Sequence, residues 1–161
     1  RKGNGLLLSE SIAKNTTMAR LDKVCSRGII DTDRENAAAE EYREKLRTKT
    51  PSVQQAVGNL SGGNQQKVLL SKWMFAEPEV LILDEPTRGI DVGAKYEIYC
   101  IMNDLVAQGK SVVMISSEMP ELLGMCDRIY VMNEGRMVAE MPAGEATQEK
   151  IMAAILRSDK Q

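Results

Sequence analysis

The chain has 161 residues, 43% of them hydrophobic and 27% charged, with a formal net charge of −2, which suits one globular domain, or a large piece of one, able to bury a core. That balance excludes a broad nucleic-acid surface, which needs clustered Lys and Arg, and the absence of histidine removes the commonest general base. The three cysteines, Cys25, Cys100 and Cys126, are too few and too scattered for a disulfide framework or a metal knuckle and read as reduced packing residues of a cytosolic protein, while the lack of a long apolar run or a signal-peptide pattern predicts a chain that neither spans nor crosses a membrane unaided.

The sequence opens on Arg1 and Lys2 without a methionine, as a piece of a longer protein would. Residues 1–58 are polar, helix-prone and weakly patterned, and read as a helical subdomain region. Their longest charged stretch runs from Asp31 to Arg47, where Thr32 and Glu35 have the spacing of a capping box and the residues from Ala37 to Leu46 are rich in helix formers. That stretch suits either a partner-docking arm or an ordinary solvated helix.

Residues 59–161 have an α/β pattern. Val68, Leu69, Leu70, Trp73 and Met74 make a dense apolar helix that Pro78 closes, and residues 80–83 form a strand that looks buried. A helix over 93–108 follows, with Ile98, Ile101, Met102 and Leu105 at helical spacing and Gly109 at its end. Residues 112–115 are a second continuous apolar run, so strand, helix and strand form a βαβ crossover with parallel strands. A short helix over 120–126 comes next. Two strands, 129–132 and 137–139, then flank Asn133, Glu134, Gly135 and Arg136 as a hairpin, and a terminal helix runs from Thr147 to about Leu156 with Ile151, Ile155 and Leu156 as its inner face.

Two runs carry chemistry. In Leu60, Ser61, Gly62, Gly63, Asn64, Gln65, Gln66, two glycines at a helix start let backbone N–H groups approach a ligand, the helix dipole favours an anion, and the serine adds a donor. By itself the run is also a common loop-to-helix transition. In Leu81, Ile82, Leu83, Asp84, Glu85, Pro86, two carboxylates follow an apolar strand, where α/β sheets place ligands; otherwise they face solvent in a turn. Asp84 suits Mg2+ held through water, and Glu85 suits a residue that orients or deprotonates an attacking water. The G-x-x-x-x-G-K-[ST] phosphate loop does not occur in the chain.

Together these residues resemble the ATP-binding subunits of ABC transporters. In that resemblance residues 60–64 are the signature motif, with Asn64 where glutamine is frequent; residues 81–85 are the Walker B strand with its catalytic glutamate, Glu85; and residues 88–91, ending in Asp91, look like the D-loop. The likeness is closest to the monosaccharide importers, whose ATPase carries two tandem nucleotide-binding halves in one polypeptide. Residues 64–68 and 86–95 are characteristic of that branch. It implies a partial P-loop NTPase nucleotide-binding domain with a parallel sheet core, a helical subdomain and a C-terminal β-hairpin, working with ATP and Mg2+.

One position departs from the pattern. Ser117, within Ser116-Ser117-Glu118, stands where such ATPases usually carry a switch histidine, and a serine cannot act as an imidazole toward the γ-phosphate. The same Ser-Ser-Glu occurs in second halves of the monosaccharide ATPases, and Arg1-Lys2 resembles the segment just past their Q-loop, so the chain resembles the C-terminal two-thirds of a second half. The halves of this family pack head to tail. Ser61, Gly62, Gly63 and Asn64 would then complete the ATP site of the first half, with Asp91 nearby, while Asp84 and Glu85 would serve the opposite site. Both motifs could instead be kept for packing. The partners implied are the first half, membrane permease subunits and, indirectly, a periplasmic or extracellular sugar-binding protein, with no nucleic acid, at the cytoplasmic face of the membrane. The rival readings are a silent regulatory half and a soluble ABC ATPase of DNA repair or translation. The isolated chain is expected to hydrolyse little ATP and to expose apolar surface.

Overall fold

The structure, a computed structural model, describes residues 5–158. They divide into two compact units, one taking the chain through Ile82 together with Pro86–Val113, the other Leu83–Glu85 and the chain from Met114 onward. Arg1 and Lys2, which carry part of the resemblance to a second half, lie outside the described residues.

The first unit begins with helix α1 (Ile12–Thr17) and a small hairpin of β1 (Cys25–Ser26) and β2 (Ile29–Ile30), followed by α2 (Thr32–Lys45) and α3 (Gly62–Phe75). α1 packs against both α2 and α3. Leu6, Ile12, Ala13, Ala39, Val53, Val57 and Val68 form the core between them, each of the larger side chains contributing about 1.5–3 kcal/mol by leaving water. Asn15 is fully buried in this region. It accepts the Leu7 N–H at 2.8 Å and donates to the Leu7 and Ser11 carbonyls at 2.9 Å, which satisfies loop groups that would otherwise be stranded.

The capping box expected at Thr32 and Glu35 is not what starts α2. Asp31 is the N-cap, accepting the Asp33 and Arg34 N–H groups at 3.1 and 3.2 Å, and Thr32 is the first helical residue. A carboxylate suits the positive end of the helix better than a hydroxyl does. Glu35 is buried instead, where it accepts the Thr17 hydroxyl at 2.9 Å. Of α2, only Glu35, Ala39 and Tyr42 are buried, so most of its charges are at least partly in water.

α3 ends at Phe75, ahead of the Pro78 stop, as Glu77 turns into the left-handed region at φ 54. Lys23 reinforces that end: its Nζ donates to the Phe75 carbonyl at 3.0 Å and pairs with Glu77 at 2.8 Å. Trp73, read as part of the apolar face, is 45% exposed with Lys72 over its ring.

β3 (Val80–Asp84), α4 (Val92–Ala107) and β4 (Ser111–Ile115) form the expected crossover, and β3 and β4 are hydrogen-bonded neighbours. Ser111 N–H donates to the Glu79 carbonyl at one end and Glu85 N–H to the Ile115 carbonyl at the other, so the strands run parallel. The sequence suggests a strand buried on both faces. Only Leu81 and Leu83 are buried, while Val80 and Ile82 are 53% and 65% exposed. Val113 and Ile115 of β4 are likewise about half exposed, so one face of this two-stranded sheet carries exposed apolar side chains.

The second unit continues with α5 (Met119–Met125), the antiparallel hairpin of β5 (Arg128–Asn133) and β6 (Arg136–Pro142), and α6 (Gln148–Ser158). Glu134 and Gly135 both have positive φ (47° and 76°), the two-residue turn that matches strand twist and that glycine makes easy. The pairing shifts between Val131 and Met132, leaving Val138 as the extra residue of a bulge. Ile129, Val131 and Ile151 form the core, with Leu122, Leu123, Cys126 and Ile155 packed on it. Leu156, expected inside, is 58% exposed. Five residues beyond Ile151, it lies about 140° round the helix from it. Among the described residues no helix is long and apolar enough to cross a membrane.

Candidate functional site

α3 opens at the glycine run. Ser61 is its N-cap in an extended conformation, and its carbonyl accepts the Gln65 N–H at 2.9 Å, the first bond of the helix. The Ser61 hydroxyl does not cap the helix; it accepts the Asn64 side-chain amide at 2.9 Å. Asn64 Oδ1 in turn accepts the Lys49 N–H at 2.9 Å. A backbone N–H can pair only with the amide oxygen, so this second bond fixes which way the Asn64 amide points. Asn64 thereby ties Ser61 to the loop after α2.

Gly62 and Gly63 are the first residues of α3, ahead of that first helical bond, where the dipole favours an anion. Gly63 has a second reason to be glycine: a Cβ there would lie 2.7 Å from the Ala94 Cβ on α4. Asp91 is the N-cap of α4, accepting the Ala94 N–H at 2.9 Å. Ser61, Gly62, Gly63, Asn64 and Asp91 therefore share one corner of the first unit, where α3 and α4 both begin.

Two residues that the sequence carries only as members of its motif runs hold this corner. Gln65 is buried and donates to the Leu60 carbonyl at 3.0 Å, fixing the entry to the run. Lys67, only 2% exposed, donates to the Arg47 carbonyl at 2.9 Å and pairs with Glu97 on α4 at 2.7 Å. Its signal was available: positions 63, 67, 70 and 74 share one helical face, so a lysine at 67 falls in line with Leu70 and Met74.

Asp84, Glu85 and Ser117 belong to the second unit. Asp84 ends β3 with its side chain exposed. Glu85 has φ 46, a left-handed conformation uncommon outside glycine and often found where a site constrains the chain. Its N–H continues the strand ladder to the Ile115 carbonyl at 2.8 Å, and its Oε1 accepts the Ser117 N–H at 3.0 Å. The structure thus brings Glu85 and Ser117 together through the Ser117 backbone. Behind them Ser116 donates its hydroxyl to Glu121, a buried carboxylate of α5, and accepts the Glu118 N–H at 3.1 Å. Nothing in the spacing of the sequence marks Ser116 and Glu121 as a pair.

Among the described residues no three or more His, Cys, Asp or Glu side chains cluster tightly enough to hold a metal. This donor set fits Mg2+, which keeps several waters and usually takes one or two carboxylates plus substrate phosphates. Asp84, exposed at the end of β3, offers one such carboxylate.

Residues 3–88, just over half of the chain, match the ABC transporter family. The L-arabinose transport ATP-binding protein AraG of Geobacillus stearothermophilus is 60% identical over 158 residues, covering 98% of this chain and 31% of that protein. The xylose import ATP-binding protein XylG of Geobacillus kaustophilus is 56% identical over 94% of this chain and 30% of its own length. The chain thus spans under a third of the curated relatives it matches. Among solved structures, a dimeric ATP-binding cassette in a post-hydrolysis state with ADP and Pi superposes with a TM-score of 0.74 at 21% identity, covering 86% of this chain and 59% of that one, which bears on the fold. With its crossover, its glycine-opened α3 and its strand-end carboxylates, the chain belongs to the ABC transporter family.

Proposed function

We propose that this chain is part of an ATP-hydrolysing subunit that powers monosaccharide import through a membrane permease. The geometric observation that carries the ATPase reading is Glu85, turned out of β3 at positive φ with its Oε1 held by the Ser117 N–H. Such a carboxylate is positioned to orient an attacking water, while Asp84 beside it takes Mg2+ through water. Support for sugar import comes from relatives named for L-arabinose and xylose. Because those names differ in sugar, the substrate is assigned only as a monosaccharide.

Within the tandem arrangement, Ser61, Gly62, Gly63 and Asn64 present donors to the ATP held by the first half, with Asp91 at the same corner, and Asp84 and Glu85 serve the other nucleotide. Residues 1–58 act as the helical subdomain region and 59–161 as the signature helix with the α/β part. The assembly sits peripherally at the cytoplasmic face of the membrane and receives its sugar from a binding protein through the permease. In the full-length protein, Ser61→Ala with Gly62→Asp should abolish both ATP turnover and uptake of labelled sugar, and the subunit should co-purify with its permease; normal uptake in that variant would sink the proposal.

One observation favours a second reading, a regulatory half that binds nucleotide without hydrolysing it. Ser117 meets Glu85 through its backbone, and position 117 carries a hydroxymethyl group where a switch imidazole would reach the γ-phosphate. Ser117→His in the full-length protein, combined with a sound phosphate loop in this half, should then raise ATPase activity, and unchanged activity counts against silence by this cause.

A further inference from the structure

We propose that Glu121 is a positioning residue for Glu85, acting through the Ser116 hydroxyl and the Ser117 backbone. The inference rests on the reading of Glu85 as the water-orienting carboxylate.

Glu85 is fixed at its main chain by the bond from its N–H to the Ile115 carbonyl, and at its side chain by the Ser117 N–H on Oε1. The second bond needs the peptide between Ser116 and Ser117 to point one way. Ser116 sets that direction. Its hydroxyl has one proton and two lone pairs. A carboxylate accepts, so the proton goes to Glu121 Oε2, while a lone pair receives the Glu118 N–H at 3.1 Å. Both bonds pull the Ser116 side chain toward the first turn of α5, clamping the segment on either side of the Ser117 amide.

Glu121 is suited to this task because it is itself immobile. It is 5% exposed, and its helix packs through Met119, Leu122 and Leu123 on the core of the second unit. The remaining members, Ser117 and Glu118, are exposed. The order in the relay therefore originates at the buried carboxylate and passes outward to the exposed loop and then to Glu85. Without Glu121 the Ser116 hydroxyl keeps only the Glu118 N–H as a tether, and the Ser117 N–H is held less firmly toward Glu85.

The test uses the full-length protein that carries this chain, with hydrogen–deuterium exchange read on the peptide spanning residues 115–119 and ATP turnover measured in parallel. Glu121→Leu and Ser116→Ala should each speed exchange at the Ser117 amide about fivefold or more, the scale of one lost hydrogen bond. Ser116→Thr, which keeps the hydroxyl, should retain the wild-type protection, and so should Glu85→Gln, whose amide oxygen still accepts. ATP turnover should fall in kcat with KM unchanged in Glu121→Leu, and Glu121→Leu should have no further effect on a Glu85→Gln background. Wild-type protection of Ser117 in both Glu121→Leu and Ser116→Ala overturns the relay, and Ser116→Ala decides alone if Glu121→Leu does not fold. If Glu85→Gln leaves turnover intact while Ser117 exchange still answers to Glu121, the relay stands as geometry and the role given to Glu85 fails. The reverse pattern removes the relay and keeps Glu85.

Discussion

The corner at the start of α3 and the corner at the end of β3 are held in opposite ways. The first rests on buried side chains: Gly63 lies against Ala94, Gln65 holds the Leu60 carbonyl, and Lys67 joins α3 to the Arg47 carbonyl and to Glu97. The second rests on a few bonds at an exposed turn: one from the Glu85 N–H, one onto its Oε1 and two at the Ser116 hydroxyl. A frame of buried side chains tolerates the loss of little without unfolding, whereas an exposed turn held by a few bonds can lose one of them and stay folded. Substitutions in the buried frame of the first corner, at Gly63, Lys67 and Glu97, should therefore register mainly as stability, and those at the second corner should leave the fold largely intact.

The largest effect is expected where the frame holds a buried charge. Glu97→Leu removes the anionic partner of an ammonium that is only 2% exposed and should destabilise the 161-residue chain by about 3 kcal/mol, measured by urea unfolding. Lys67→Met should cost about 1 kcal/mol or less, because Glu97 is 40% exposed and can rehydrate. An equal loss in both variants would mean that Lys67 is not the buried member that matters.

Next comes Gly63→Ala. Replacing glycine by alanine in a helix ordinarily stabilises by about 1 kcal/mol. Here the added Cβ would sit 2.7 Å from the Ala94 Cβ, so the helices must separate, and a net loss of about 1–2 kcal/mol is expected. Adding Ala94→Gly should recover most of it. A stabilised single variant would show that Gly63 is there for its backbone alone, and the contrast between the two corners would weaken.

Ser116→Ala tests the other side of the contrast. It removes a half-buried hydroxyl at a loop, so the unfolding free energy should drop by no more than about 1 kcal/mol, well below the loss in Glu97→Leu. A drop as large as that of Glu97→Leu would make the carboxylate corner a structural keystone like the first.

The sequence made the two corners unequally legible, for the same physical reason. At the α3 start, adjacency along the chain encodes most of the geometry: two glycines, a serine and an asparagine three residues on are neighbours on one helical turn, and the Asn64 to Ser61 bond closes within it. The crossover, a hairpin turning within residues 133–136 and the parallel pairing of β3 with β4 were readable from period and turn chemistry alone. Glu121 was not, since its link to Glu85 runs through a loop and across 36 positions of sequence with no periodic signature. The faces of β3 were misjudged because an unbroken apolar run does not say how many neighbours cover it, and Leu156 because a single apolar residue near a chosen face does not reveal its angle.

The smallest expected effect sits beside Glu121 and probes its charge. Burial pushes the Cys126 thiol up from its ordinary range, and the carboxylates of Glu121 and Asp127 push it further the same way. The folded state thus keeps its proton where the unfolded chain would release it. Stability from this source is complete below the unfolded thiol's pKa, about 8.5, and is lost as pH rises through the higher folded value. Iodoacetamide labelling of Cys126, followed by mass spectrometry against pH, should accordingly lag behind that of a free thiol. In Glu121→Gln the profile should move only part of the way back, since burial is the larger cause. A full return to the free-thiol profile would mean that Glu121→Gln has loosened α5 and exposed Cys126, and with it the immobile anchor from which Ser116 draws its direction.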